Sequence, residues 1–261
     1  MIPKAVKSED LERIVKEAGR ILLSYFHQPL SLNAKDQDGF VTEADIASEK
    51  YLIEQLGLLL PQASFQAEES GKVGSGEYCW VIDPLDGTSN FAHQIPYFCI
   101  SVALTYHDKP IIGVIYQPVM NEFFYAQKGA GTYLNGQKLE DIASKNQEWS
   151  MIAVGFPYEK KKQFVDLLGA AQRILPETYS FRCFGAAALD LAYVAAGRLN
   201  GAISEGLKWW DVAAGIVLIE EAGGRATDFR GQEITPSYVS FVAANRPMHE
   251  KLIQLLPPST H

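Results

Sequence analysis

The chain has 261 residues, of which 47% are apolar and 21% charged. That composition excludes disordered, fibrous and small disulfide-stapled classes and leaves room for one large domain or two closely packed ones. Its 23 Lys and Arg against 31 Asp and Glu give a net charge of −8, the wrong sign for gripping a phosphate backbone or an anionic lipid surface, so neither nucleic acid nor membrane is an expected partner.

Leu11, Ile14, Val15, Ala18, Ile21, Leu22 and Tyr25 recur at helical spacing behind the acids that follow Ser8, which predicts an amphipathic helix. Thr42 with Asp45 three positions on resembles a capping pair and opens a second helix bearing Ile46, Tyr51, Leu52 and Leu56. Strands are expected at 80–82, 97–106, 111–116 and 122–127, joined by the short links 107–110 and 119–121. Links that short mean hairpins, hence an antiparallel sheet. A glycine-rich stretch, 129–139, carries the turn signal Asn135-Gly136, and the polar residues after it, up to Ser150, read as an interdomain crossing. The expected division is 1–145, a helix pair with an antiparallel sheet carrying most of the acidic site, and 146–261, an α/β part. In that second part strands at 151–155, 179–182, 202–203, 226–229 and 239–243 alternate with helices at 160–173, 186–196, 212–222 and from Met248. Such alternation suggests helices outside a sheet.

Cys79, Cys99 and Cys183 are odd in number and set among apolar neighbours, as reduced core thiols in a reducing compartment would be. The opening segment is charged rather than apolar, and no stretch approaches the roughly 18 apolar residues of a membrane span. A cytoplasmic location is expected.

The most informative string is Asp83-Pro84-Leu85-Asp86-Gly87-Thr88-Ser89-Asn90-Phe91, directly after the strand 80–82. Pro84 lacks an N–H, so the strand is expected to end there with both carboxylates emerging at its carboxyl end. Gly87-Thr88 would begin a short helical turn whose N–H groups suit a phosphate oxygen. Carboxylates beside an anion site repel unless a cation lies between them, and Mg²⁺ takes carboxylate, carbonyl and phosphate oxygens together. The same pattern of Asp and Gly also describes a solvated turn. Two further acidic positions point to the site. Glu68 and Glu69 follow the apolar Phe65, with the glycine-rich 71–76 behind them as a mobile lid. Asp211 stands inside the apolar run Trp209-Trp210-Asp211-Val212-Ala213-Ala214-Gly215, as a helix N-cap, a metal ligand, or both.

Asp83 to Phe91 together with Trp210 to Gly215 resembles the paired signatures of the inositol monophosphatase family, Mg²⁺-dependent and lithium-sensitive phosphatases. The likeness runs from about residue 35 to 224, through Asn135-Gly136, 182–188 and Glu220-Glu221-Ala222-Gly223-Gly224. It implies an α+β fold, the layered αβαβα sandwich of the inositol monophosphatase and fructose-1,6-bisphosphatase type, which agrees with the elements above. It also implies that Glu68, Asp83 and the Leu85 carbonyl hold one Mg²⁺, that Asp83, Asp86 and Asp211 hold a second, and that a third shares Glu68 with waters. The implied catalytic set is Asp45, Thr88, Glu68 and Asp86, with Asp45 and Thr88 orienting the attacking water. Gly87 and Thr88 would give N–H groups to the phosphate. Lys35 matches an entrance lysine, though a Lys beside Asp36 also suits open solvent.

On the substrate side the resemblance points to Gly185, Ala187, Asp211 and an acid before Asp211. Family members place that Glu seven residues ahead of the metal Asp; here Ser204 holds the position and Glu205 lies six ahead. Gly185 to Ala188 would offer backbone to substrate hydroxyls, or pack a helix tightly. Trp209 is either bulk beside the substrate or buried core. With Ser204 facing the polyol, several sugar and polyol monophosphates would be hydrolysed at similar rates. Asn90-Phe91 favours the inositol branch over the 3′-phosphoadenosine 5′-phosphate branch, while histidinol phosphate, fructose 1,6-bisphosphate and NADP stay open as substrates. The expected assembly is a homodimer. A different class of function, a regulatory protein-binding role with incidental catalysis, is carried by the resemblance to bacterial relatives that bind the transcription machinery.

Overall fold

The computed structural model describes residues 2–28, 33–34, 40–143, 148–156, 161–237 and 240–256, so Lys35 lies outside the described residues. Helix α1 (Ser8–Tyr25) buries Leu11, Ile14, Val15, Ala18 and Leu22, while Ile21 and Tyr25 sit at the half-buried margin of the stripe. A two-stranded ribbon, β1 (Asn33–Ala34) and β2 (Phe40–Val41), leads into α2 (Glu43–Leu59). Thr42 accepts the Ala44 N–H through its hydroxyl, and Asp45 accepts the Thr42 N–H at 2.9 Å, closing the cap that the sequence predicts. The inward face of α2 departs from expectation. Ile46 is 54% exposed, whereas Asp45, Ser48 and Glu49 are buried beside Leu52 and Leu56. Polar groups turn inward there because that face meets acid-bearing loops rather than apolar core.

The strands β3 (Ser64–Ala67), β4 (Gly71–Val73), β5 (Tyr78–Asp86), β6 (Cys99–Tyr106), β7 (Lys109–Gln117), β8 (Glu122–Gln127), β9 (Gly131–Leu134) and β10 (Gln137–Lys138) form one sheet, with the short helix α3 (Thr88–Ala92) after β5. Their order is β10-β9-β8-β7-β6-β5-β3-β4, and β3 beside β5 is the parallel pair. The segment expected as a lid begins as strand β4, paired with β3. Nor does Pro84 end β5. The strand continues through a bulge, its pairing with β6 shifting between Asp83↔Ser101 and Asp86↔Cys99. Because β3 stops opposite Ile82, the missing N–H of Pro84 breaks no ladder on that side. Asn135 and Gly136, with φ of 50 and 78, make the tight turn between β9 and β10.

The second sheet has the order β12-β11-β13-β15-β14, from β11 (Met151–Gly155), β12 (Ser180–Arg182), β13 (Gly201–Glu205), β14 (Arg225–Thr227) and β15 (Ser240–Ala244). The pairs of β11 with β12 and β13 are parallel, and β15 runs against both β13 and β14. Between these strands lie α4 (Lys161–Ile174), α5 (Ala187–Ala195) and α6 (Trp209–Glu221), with α7 (Arg246–Leu255) last.

Strand alternation explains the layers. On β5, Trp80 and Ile82 pack with α1 and α2, while Val81 points to the opposite face with α5 and α6. That helix layer also covers Ala153, Ala202 and Ala243 of the second sheet, whose other face, Ile152, Val154, Ile203 and Val242, is closed by α4 and α7. The result is an α+β αβαβα sandwich. Trp209 is buried in its middle layer. Cys99 is buried and Cys79 half-buried, but Cys183 is exposed rather than in the core. Among the described residues no helix is long and apolar enough to cross a membrane.

Candidate active site

The β5 bulge delivers Asp83, Leu85 and Asp86 side by side. Asp83 is buried and accepts the Leu85 N–H at 3.0 Å. Asp86 accepts the Ala188 N–H at 2.7 Å from the first turn of α5, and the Cys99 thiol lies 3.7 Å from the same oxygen. Asp211 sits inside the first turn of α6 and accepts the Lys208 N–H at 2.7 Å. It is therefore not the N-cap itself; it caps from the third helical position, while Lys208 occupies the cap. Glu68 continues β3 by one residue, its N–H donating to the Ile82 carbonyl at 3.2 Å beside β5.

These acids share one electrostatic neighbourhood. Burial first, then the negative charges of Glu68, Asp86 and Asp211, hold the Asp83 carboxyl well above the usual range. Asp211 is raised in the same way, by burial and then by Asp86. Burial lifts Asp86 to about 7, with Asp190 and Glu68 adding to it and the Ala188 N–H opposing. None of the leading influences on Asp83 is a cationic side chain. Among the described residues no three His, Cys, Asp or Glu side chains close into a ready ligand shell, but the donor chemistry fits a hard divalent cation: carboxylate oxygens and one carbonyl, crowded and desolvated. Family members are generally Mg²⁺-dependent.

The opposite wall comes from α2 and α3. Asp45, fully buried, accepts both the N–H and, at 2.6 Å, the hydroxyl of Thr42 through one oxygen. Its other oxygen is 3.3 Å from the Thr88 hydroxyl, which also lies 3.0 Å from the Leu85 carbonyl. A single hydroxyl proton serves one of these acceptors at a time. Gly87 holds a φ of 91, and a Cβ there would come within 3.0 Å of the Tyr97 carbonyl. Only glycine takes this turn without strain.

On the substrate side, Gly185 (φ of 84) leads into Ala187 and Ala188 at the start of α5, where the Ala188 N–H is already used by Asp86. Asn90 donates to the Tyr97 carbonyl at 2.8 Å and the Phe184 carbonyl at 2.7 Å, stapling the two walls together. Ser204, expected to face the polyol, is buried and donates to the Gly155 carbonyl at 2.9 Å. The strand β13 thus commits its proton within the sheet. Glu205, also buried, is the last residue of that strand.

Sequence reasoning missed four contributors. Ser48 donates to the Pro84 carbonyl at 3.1 Å, and Glu49 accepts the Glu69 and Ser70 N–H groups at 2.8 Å each. Tyr97 donates to the buried Asp190 at 2.7 Å, and burial lifts Asp190 to about 7. Glu49 was findable, since it lies one helical turn from Asp45; Tyr97 and Asp190 are too far apart in sequence for any local signal.

This sandwich, with its acids on a strand bulge between two helix layers, is the fold of solved structures named inositol monophosphatase and inositol monophosphatase-fructose 1,6 bisphosphatase. The profile of the inositol monophosphatase family matches residues 8–261, and the chain belongs to that family. It is 39% identical to Nus factor SuhB of Salmonella typhimurium over 223 residues, covering 84% of each chain. To the inositol-1-monophosphatase of Mesorhizobium japonicum it is 36% identical over 242 residues, 91% of each. The crystal structure of extragenic suppressor protein suhB from Bartonella henselae matches with a TM-score of 0.90 at 34% identity, over 96% of this chain and 98% of that one.

Proposed function

We propose that the protein is a Mg²⁺-dependent phosphomonoesterase that hydrolyses inositol 1-phosphate and related small polyol or sugar monophosphates. The observation that carries this reading is the raised, mutually repelling set Asp83, Asp86 and Asp211 beside the Gly87 turn and the Asp45–Thr88 contact. Glu68, Asp83 and the Leu85 carbonyl would hold one Mg²⁺, Asp83, Asp86 and Asp211 a second, and Glu68 with waters a third. Bound Mg²⁺ supplies positive charge against the phosphoryl oxygens and the leaving oxygen, and acidifies water.

The chain's own groups supply the alignment. Thr42 fixes one oxygen of the Asp45 carboxylate through two hydrogen bonds, so the other stays aimed at Thr88. When the Thr88 hydroxyl donates to Asp45, its lone pairs are left to accept a hydrogen bond from the attacking water, which orients that water without a covalent enzyme intermediate. The Gly87 and Thr88 N–H groups face the phosphate. Backbone at Gly185 and Ala187 faces the polyol. Glu205 takes the hydroxyl-binding role in place of Ser204, whose own hydroxyl is bound to Gly155.

A phosphate-release panel tests this: inositol 1-phosphate, glycerol 2-phosphate, histidinol phosphate, fructose 1,6-bisphosphate, NADP and 3′-phosphoadenosine 5′-phosphate. Turnover should require Mg²⁺, vanish in excess chelator, and be inhibited by Ca²⁺, which prefers longer bonds and more ligands. Glu205→Ala should lower kcat/KM on inositol 1-phosphate by more than about tenfold relative to glycerol 2-phosphate, a difference of roughly 1.4 kcal/mol. Full activity in chelator defeats the metal assignment, and equal loss on both substrates defeats the role of Glu205. The working assembly is proposed to be a homodimer, which sedimentation would reveal.

A second reading is favoured by the relatives named Nus factor SuhB: a protein-binding regulatory role in which catalysis is incidental. Complementation of a gene deletion by an inactive variant would support it over the enzymatic one.

A further inference from the structure

Helix α2 touches the β5 bulge, the turn after β3 and α3, and it does so with one buried polar face. Asp45, Ser48 and Glu49 are all buried on that face. Asp45 reaches Thr88, Ser48 donates to the Pro84 carbonyl in the β5 bulge at 3.1 Å, and Glu49 holds the turn after β3. The last contact is the strongest. The two carboxylate oxygens of Glu49 accept separate backbone N–H groups, Oε2 from Glu69 and Oε1 from Ser70, both at 2.8 Å. A bidentate, charge-assisted clamp of this kind fixes both position and orientation. The clamped turn begins at Glu68, whose own N–H is tied to Ile82 at 3.2 Å, and it ends at Gly71 with a φ of 71.

We propose that Glu49, with Ser48 beside it, is a positioning residue that sets the separation between the Glu68 turn and the Asp83–Leu85 bulge, and thereby the affinity of the site for Mg²⁺. The inference rests on the metal reading proposed above. Its logic is electrostatic and geometric. Glu68 raises the carboxyl of Asp83, so the two segments repel when no cation lies between them. Two anchors on one rigid helix oppose that repulsion, because Glu49 pulls on the first segment and Ser48 on the second from adjacent positions. Glu49 has its oxygens occupied by backbone donors, and its work is to hold the turn that presents Glu68. Groups that orient the ligands of a metal in this way typically change affinity or activity by about 10–100-fold when removed.

The test is calorimetric titration of the full-length protein with Mg²⁺ and no substrate, for wild type, Glu49→Gln, Ser48→Ala and Leu56→Val. Leu56 is buried on the same helix, seven residues beyond Glu49, so its variant loosens α2 without altering the hydrogen bonds that Glu49 and Ser48 make. Glu49→Gln keeps the shape but puts an NH₂ against one backbone N–H, and the Mg²⁺ dissociation constant should rise by about tenfold or more. Ser48→Ala should raise it by a smaller factor, about threefold, in line with a neutral hydrogen bond. Leu56→Val should lower Tm and leave the dissociation constant unchanged. At saturating Mg²⁺, Glu49→Gln should keep kcat within about threefold of wild type, since the clamp acts on binding and not on Asp45 or Thr88. An unchanged Mg²⁺ affinity in Glu49→Gln overturns the inference, as does an equal loss in Leu56→Val, which would mean a merely structural role. If Glu49→Gln does not fold, Ser48→Ala decides: an unchanged dissociation constant rejects the proposal. A wild-type protein that binds no Mg²⁺ rejects it too. A protein that binds Mg²⁺ with this mutational pattern but releases no phosphate from any monoester overturns the proposed function and leaves the positioning role standing.

Discussion

Asp83 is the single residue on which the proposed chemistry depends most, because it is shared between two proposed metal positions and is buried among like charges. Asp83→Asn conserves volume and leaves an oxygen to accept the Leu85 N–H at 3.0 Å, but removes the charge. Phosphate release should fall by more than about 10²-fold, in keeping with the several kcal/mol that metal ions contribute to such transition states. The metal-free variant should melt higher than metal-free wild type, since one member of a repelling group is neutralised. Wild-type turnover, or a lower metal-free melting temperature, contradicts this account. At this scale Asp83 to Phe91 was legible because its residues are contiguous and their chemistry is unusual for a plain turn. Ser204 and Glu205 were not separable by inspection. They are neighbours in sequence, and only the Ser204 bond to Gly155, across two paired strands, shows which hydroxyl is already committed.

Among elements, α6 is the one whose placement the site can least afford to lose, for it carries Asp211 in its first turn. It lies against β7 and α5 with no clearance: a Cβ on Gly113 of β7 would overlap the backbone carbonyl of Ala214, and one on Gly215 would overlap Leu191 of α5. Gly113→Ala forces either the strand or the helix to move, since backbone cannot yield as a side chain does. Overpacking of this kind costs about 1–3 kcal/mol, so thermal melting should show a clear loss, and Mg²⁺ titration should weaken as Asp211 is displaced. Normal stability with normal Mg²⁺ affinity would mean that the layers separate freely. The sequence signalled the helix through Val212-Ala213-Ala214-Gly215, but not its partner, because a lone glycine inside a strand says only that something approaches closely. The β5 bulge was hidden for a related reason. Pro84 ordinarily ends a central strand, yet here the neighbouring strand β3 stops first, a fact of topology rather than of local sequence. Ile46 stays exposed on α2 because the inward face of that helix is polar where it meets the site.

Across the whole molecule the buried acids give the metal-free protein an unusual dependence on pH. Asp86 and Asp190 titrate at about 7 in the folded state, and Asp83 and Asp211 are also raised, against an ordinary carboxylate value near 3.9. From about pH 4 to about pH 7 the folded chain therefore holds more protons than the unfolded one, and stability falls as pH rises, by up to about 1.4 kcal/mol per pH unit for each such group. His249 acts in the other sense. It is buried, its Nε2 is 2.8 Å from the Thr227 hydroxyl, and burial holds it down at about 4, so the unfolded chain binds its proton first and stability falls as pH drops from about 6.5 toward about 4. One histidine offsets one carboxyl only, and the acids prevail. Melting in chelator should therefore give a lower Tm near pH 8 than near pH 5, and saturating Mg²⁺ should reverse the order, because a cation that binds the ionised acids stabilises the folded state most where protons compete least. Asp190→Asn should flatten the metal-free slope while sparing the Mg²⁺ response, as Asp190 raises Asp86 without belonging to the proposed ligand set. A metal-free Tm that climbs steadily from about pH 5 to about pH 8 would show that the acids are already compensated in the folded chain, and with that the electrostatic case for a cation between them would fail.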